Sequence, residues 1–285
     1  MHTAPYTAAM SWHGHLSLRY RRDQDRTTAL DRHEGPLRVL QRLYPEGPGI
    51  CHHVLVHPPG GIVGGDVLEV DAHLAEGTHA LVTTAGATRF YRSAGPLARQ
   101  AVTARLDAGA RLEWLPLETI AYGGCIGEGR QQFDLAPGAE TIGWDLLALG
   151  LPATGDTFER GSYRQHLEVA GAWLERGLVD AQDTRLLASP LGLDGQRLVA
   201  TLWFAAGAPI APARRDALLD AARDLAAARG LDRRAGATAP HPRVVVLRVL
   251  APRVEPALQL LQAVRALWRR LAWDLAPHAP RVWGT

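Results

Sequence analysis

The chain contains no lysine; all 31 of its Lys+Arg residues are arginine. That excludes a P-loop amine for nucleotide phosphates and an amine for Schiff-base chemistry. Cysteine is nearly absent too. Cys51 and Cys125 stand far apart and form no CxxC, so a reduced, cytosolic compartment is expected. No apolar run is long enough to span a bilayer. The opening MHTAPYTAAMSWHGHL lacks the charged and apolar regions of a secretory leader, so none is expected. The formal net charge of +2 is too small to argue for a nucleic-acid partner. GxSxG, HExxH and Cys-centred nucleophile signatures are missing as well.

What remains describes a globular, strand-rich chain. Its 285 residues are 47% hydrophobic and 21% charged, enough to bury a sizeable core and too apolar for disorder. Period-two alternation marks strands at 12–20, 67–74, 102–106, 141–149 and 163–169; 50–56, 79–84, 198–204 and 244–250 read as further strands, with extended chain at 111–122. Residues 21–26 read as a turn. Turns come about every ten residues, which favours an all-β architecture over alternating βα units. No strict repeat is visible. Two helices are expected late. One, at 212–229, has Pro212 in its first turn and Gly230 past its end; the other, at 255–275, carries one broad apolar face. The Ala/Arg/Gly-rich stretch 229–240 is the best linker candidate, but the chain is expected to form one domain over 1–285.

The densest turn chemistry lies at 57–93. His57-Pro58-Pro59-Gly60-Gly61 forces one bend and Gly64-Gly65-Asp66 a second, so at least one of these glycines is expected at φ > 0. The stretch closes on Arg89-Phe90-Tyr91-Arg92, a basic-aromatic patch whose rings are expected to be exposed interface surface. GGIVGGD has no GK[ST] and no following helix, so it does not read as a phosphate cradle. Eight of the twelve histidines lie between 13 and 79, and imidazole suits nickel, zinc or copper, yet none shows a tight ligand spacing. A hydrolase would need His57, Asp66 and a Ser or Thr, but Ser93 and Ser189 sit in turns with no marked base nearby. Asp145 and Glu168 could form a carboxylate pair or belong to polar strand faces.

HPPGGIVGGD and TTAGATRFYRS, with RTTALDRHEGPLRV before them, resemble the motifs of the urease accessory protein D family (UreD, also called UreH). GARLEWLP at 109–116, Trp144-Asp145, Leu149-Gly150 and the closing PRVWGT continue that resemblance along nearly the whole chain. Ala85, Leu117, Gly123 and Leu151 depart from the residues usual there. The resemblance implies a β-helix-like stack of strands with two helices. It also implies a non-enzymatic, cytoplasmic role: a scaffold that binds apo-urease (UreABC) and bridges it to UreF and UreG for nickel delivery to a di-nickel site. No tightly bound cofactor is implied. A metallochaperone that holds nickel itself is the alternative, and a hydrolase on a β-scaffold the next.

The family further implies a water-filled passage for nickel in transit. Period two places Arg164, His166 and Glu168 on one face of their strand, and Thr141, Gly143 and Asp145 on one face of theirs. If both faces point inward, Asp145 and Glu168, with the hydroxyls of Thr83 or Thr84, would attract a divalent ion without trapping it.

Overall fold

A computed structural model describes residues 11–284. Residues 1–10 of the stretch read for a leader, and Thr285 of the closing motif, lie outside the described residues. In chain order the strands are β1 (His13–Asp23), β2 (Arg26–Glu34), β3 (Arg38–Leu43), β4 (Ile50–Val56), β5 (Val67–Leu74), β6 (His79–Thr84), β7 (Thr88–Phe90), β8 (Ala98–Leu106) and β9 (Arg111–Leu115). They continue as β10 (Thr119–Ala121), β11 (Ile126–Leu135), β12 (Glu140–Leu149), β13 (Ser162–Val169), β14 (Trp173–Asp180), β15 (Leu198–Ala206), β16 (Ala235–His241) and β17 (Val244–Ala251). The helices are α1 (Thr184–Ala188), α2 (Pro212–Ala228) and α3 (Val254–Trp273).

From β4 to β13 the chain coils, laying strands alternately in two facing sheets. The first sheet has the order β14-β13-β11-β8-β5-β1-β2. Its five central strands are parallel, and β14 and β2 close its edges antiparallel. The second runs β16-β17-β15-β12-β9-β6-β4-β3, parallel only from β12 to β4. This is the β-helix-like stack expected, with the two longer helices in the last third.

The two ends of the coil differ. At one end β5, β8 and β11 pass to β6, β9 and β12 through tight four-residue turns. Each has a left-handed glycine in third place, Gly77, Gly109 and Gly138, at φ of +67°, +67° and +83°. At the other end the returns are long, 57–66, 85–97, 116–125 and 150–161, and they hold the sequence's densest motifs. These loops stack as well. The strand β7 pairs with β10, β10 with the end of β12, and Ile62 bridges to Phe90, giving a short third ladder.

Burial explains the strand patterns. The first sheet packs on the second through its inner face alone, so β5 alternates buried and half-buried along its length. The second sheet is covered on both faces, by the first sheet and by α2 and α3, so β12 is buried at every position after Glu140. Between the sheets Trp203 packs against Phe133 and Trp173. A Cβ on Gly143 would come within 2.2 Å of the Trp203 ring, so glycine there makes room for the tryptophan.

Three expectations are corrected. Residues 21–26 are not a turn: β1 and β2 pair through Asp23↔Arg26, leaving only Gln24-Asp25, with Gln24 left-handed at φ +54°. The linker candidate holds β16, an edge strand paired to β17. Phe90 is fully buried, edge-on to Tyr163, so of the expected ring pair only Tyr91 is exposed. No helix among the described residues is long and apolar enough to cross a membrane.

Candidate functional site

The long-loop end is built by the motifs. Gly60 and Gly65 are left-handed, at φ of +78° and +95°, as the two bends require. Gly61 and Gly64 are glycine for a different reason. A Cβ on Gly61 would come within 2.0 Å of the Tyr91 ring, and one on Gly64 within 2.2 Å of Ser93 Oγ. Asp66 is buried, and its carboxylate accepts from the amides of Trp12 at 2.8 Å and Val63 at 3.0 Å. That fixes the second bend and ties it to the start of β1. Asp66 is therefore committed to the loop, and Ser93 Oγ donates to the Pro96 carbonyl. Neither is free to serve a hydrolytic triad with His57.

Beneath these loops the sheets enclose a cavity of about 380 Å³, with His57, Gly60, Gly61, Thr84 and Arg89 among the residues lining it. Burial pushes the His57 imidazole below its ordinary pKa, against the opposing pull of Asp66. Thr84 donates its hydroxyl to the Gly86 carbonyl and accepts from the Leu117 amide, which pins the loop to the cavity edge. Deeper in are Trp114, Gln131, Asp145 and Tyr163. Asp145 lies four residues, roughly 13 Å, from the loop-side end of β12. It points across to the first sheet, where Gln131 Nε2 donates to one carboxylate oxygen at 2.5 Å and Gln165 Nε2 to the other at 2.6 Å. Burial raises its pKa to about 6. Gln165 and Gln131 oppose that rise, and nearby Glu175 adds to it. The Trp114 indole N–H and Gln131 Oε1 are buried without partners in the same cavity wall.

Asp145 thus faces inward and Glu168 does not. In β13 the buried face is Tyr163, Leu167 and Val169, the more apolar of the two, and Gln165 goes in with it. Glu168 turns to the outer face, where it pairs with His166 at 2.7 Å and lies 3.9 Å from Arg130. The two carboxylates share neither a lumen nor a pair. Thr83 also faces away from the cavity and accepts from the Trp283 indole.

Five of the eight early histidines each bond one carboxylate. His13, His15, His52, His73 and His79 bond Glu69, Asp71, Glu46, Asp107 and Glu113 respectively. His53 bonds the Tyr20 hydroxyl, and burial lowers its pKa to about 4. Burial raises both thiols, Cys125 to about 12, so they are poor thiolate ligands near neutrality. No group of three or more His, Cys, Asp or Glu among the described residues is placed to hold a metal ion.

One cluster escapes sequence reasoning. Where α3 meets the second sheet, Arg265 bonds Glu113 at 2.7 Å and Arg269 bonds Glu46 at 2.6 Å, while His79 and His52 complete the two carboxylates. Full burial pushes the Glu113 pKa up, but Arg265, His79 and Arg269 outweigh it and hold it at about 2. The pairs are 152 and 223 residues apart in sequence, so no local spacing announces them.

A sequence model described as UreD urease accessory protein matches residues 13–284 of the chain. The chain is 64% identical over 278 residues to the urease accessory protein UreD of Leptothrix cholodnii, an alignment covering 97% of this chain and 100% of that protein. It is 59% identical over 276 residues to the protein of the same name from Variovorax paradoxus, covering 97% and 100%. With that of Albidiferax ferrireducens it shares 56% over 274 residues, covering 96% and 99%.

Proposed function

Because the chain belongs to the UreD urease accessory protein family, and so takes part in urease maturation, we propose that it is a non-catalytic scaffold acting in the cytoplasm. It binds apo-urease, bridges it to UreF and UreG, and nickel crosses it on the way to the urease di-nickel site. The observation that carries this reading is the cavity under the family motifs, with a single inward carboxylate deep within it.

Asp145 suits transit better than storage. One carboxylate with amide and hydroxyl neighbours is a weak, oxygen-only donor set, and a divalent ion leaves it readily. With its pKa at about 6 the carboxylate is mostly ionised at neutral pH, so the charge that would attract the cation is present. Gln131 holds an unpartnered Oε1 beside it, and rotating that amide would turn an oxygen toward a passing ion. In this scheme Thr84 shapes the cavity edge and His57 stays neutral.

Size-exclusion chromatography with UreF and UreG, and a pull-down with apo-urease, test the scaffold. Co-elution of a folded sample is expected, and its failure would contradict the bridging role. Equilibrium nickel binding by the protein alone is expected to be weak; tight stoichiometric uptake would point to a metallochaperone instead.

A further inference from the structure

We infer that the long-loop end, around the mouth of the cavity, is a docking surface for an acidic protein segment. This rests on the reading above that the protein works inside an assembly. The surface is made of rings and guanidinium groups, two of which lie on glycines. Tyr91 lies over Gly61 and pairs with Tyr122 at 5.2 Å between ring centres. One rung along, the Arg92 stem lies over Gly124, at 3.1 Å from where a Cβ would stand. The Gly124 amide donates to the Arg160 carbonyl, which brings a second arginine to the same rung. Arg89, on β7 at the cavity mouth, is near enough to Tyr122 for its charge to act on the phenol.

Arg89, Tyr91, Arg92 and Arg160 are all exposed. Among the described residues none of the three arginine side chains has an ion pair or a side-chain hydrogen bond. The carboxylates of these loops are largely committed. Asp66 and Asp156 accept from backbone amides, Glu159 accepts from Thr157, and only Glu118 is left without a partner. Three uncompensated guanidinium groups therefore face outward around two tyrosines. Arginine and tyrosine are among the residues enriched at binding hot spots, and a planar guanidinium matches a carboxylate bidentately. Gly61 and Gly124 leave the room in which Tyr91 and Arg92 lie.

Titration with a labelled hexaglutamate peptide at low and high salt tests this directly. The wild type is expected to bind at low salt and to weaken as salt rises. The double variant Arg89→Glu, Arg92→Glu is expected to bind about tenfold weaker or worse, with an unchanged melting temperature. Tyr91→Ala should weaken binding at both salt levels, while Arg21→Glu, an exposed arginine on β1, should leave it unchanged. Equal binding by the wild type and the double variant, or no binding by the wild type, would overturn the proposal. The double variant should also fail to join the assembly with UreF and apo-urease. If it assembles normally, the surface is not where a partner docks, although the scaffold reading stands. If the wild type itself does not assemble, the scaffold reading fails and the peptide titration alone decides for the surface.

Discussion

Asp145 is the residue where stability and role pull apart. Its folded pKa, at about 6, lies above the ordinary carboxylate value near 3.9. A carboxyl raised on folding binds its proton more tightly in the folded state, so stability falls as pH climbs from about 4 to about 6 and stays lower above that. Asp145→Asn removes this penalty, and rotation of the Gln131 amide lets the new side chain keep two hydrogen bonds. The variant is expected to be more stable than wild type at pH 7 by about 1–3 kcal/mol, with little difference at pH 4, in urea denaturation at the two pH values. A loss of stability at pH 7 would show that the carboxylate is needed to hold the sheets together. The glycines make a second case at this scale. Gly64→Ala displaces Ser93, and Gly65→Ala puts a Cβ on a left-handed residue, costing roughly 1 kcal/mol or more. The double variant is expected to lower soluble complex and urease activation together, and normal activation would mean the loop only connects strands.

Among the elements, α3 is fastened to the second sheet by charge as well as by apolar burial. Glu113 is held at about 2, below its ordinary value near 4.3, so its stabilisation is fully present above that value and lost as pH falls toward 2. Burial also depresses His79, and its contribution is likewise lost on acidification, below about 6.5. Acid should therefore loosen α3 before the rest, seen as hydrogen exchange rising in 254–273 ahead of β12. Glu113→Gln leaves Arg265 and Arg269 buried without their shared anion and should cost about 3–5 kcal/mol, with Glu113→Gln, Arg265→Met costing less. Equal cost for the single and double variants would show that uncompensated charge is not the cause.

Which elements were legible follows from the same packing. Sequence pattern places β5 and β6 to the residue, β5 by its alternation and both because turn residues bound them. It misses β11, whose inward face carries Gly127 and Gly129. A Cβ on either would meet the Tyr163 side chain, at 2.9 Å and 2.1 Å, so the ring from β13 takes the place of the side chains that would have announced a strand. β16 is missed because an edge strand of Ala, Gly, Thr and Pro has no apolar alternation. For β13 the two faces are read correctly and the inward one wrongly. A polar face turned in has to outweigh the burial of Tyr163, Leu167 and Val169, and it does not. Asp145 is buried because its side of β12 meets the first sheet, where Gln131 and Gln165 hold it, and no local spacing tells which strands will face each other.

At the scale of the whole molecule, the coil separates structure from role. Its tight-turn end repeats a glycine turn that keeps the strands in register. Its long-loop end collects the motifs, the cavity mouth and the arginine-tyrosine surface. The motifs and the family were legible in sequence because loop geometry depends on particular Gly, Pro and Asp residues. The cavity was not, because it exists only where two sheets face each other across Gly129, Gln131 and Asp145. In the role proposed above, nickel crosses the protein by way of this carboxylate. The direct measurement is the nickel content of urease matured with Asp145→Ala, alongside co-elution of that variant with UreF and apo-urease and a parallel Glu168→Ala sample. An intact assembly with nickel loading reduced about tenfold is expected for Asp145→Ala, and normal loading for Glu168→Ala on the outer face. Normal loading by Asp145→Ala within an intact assembly would contradict it.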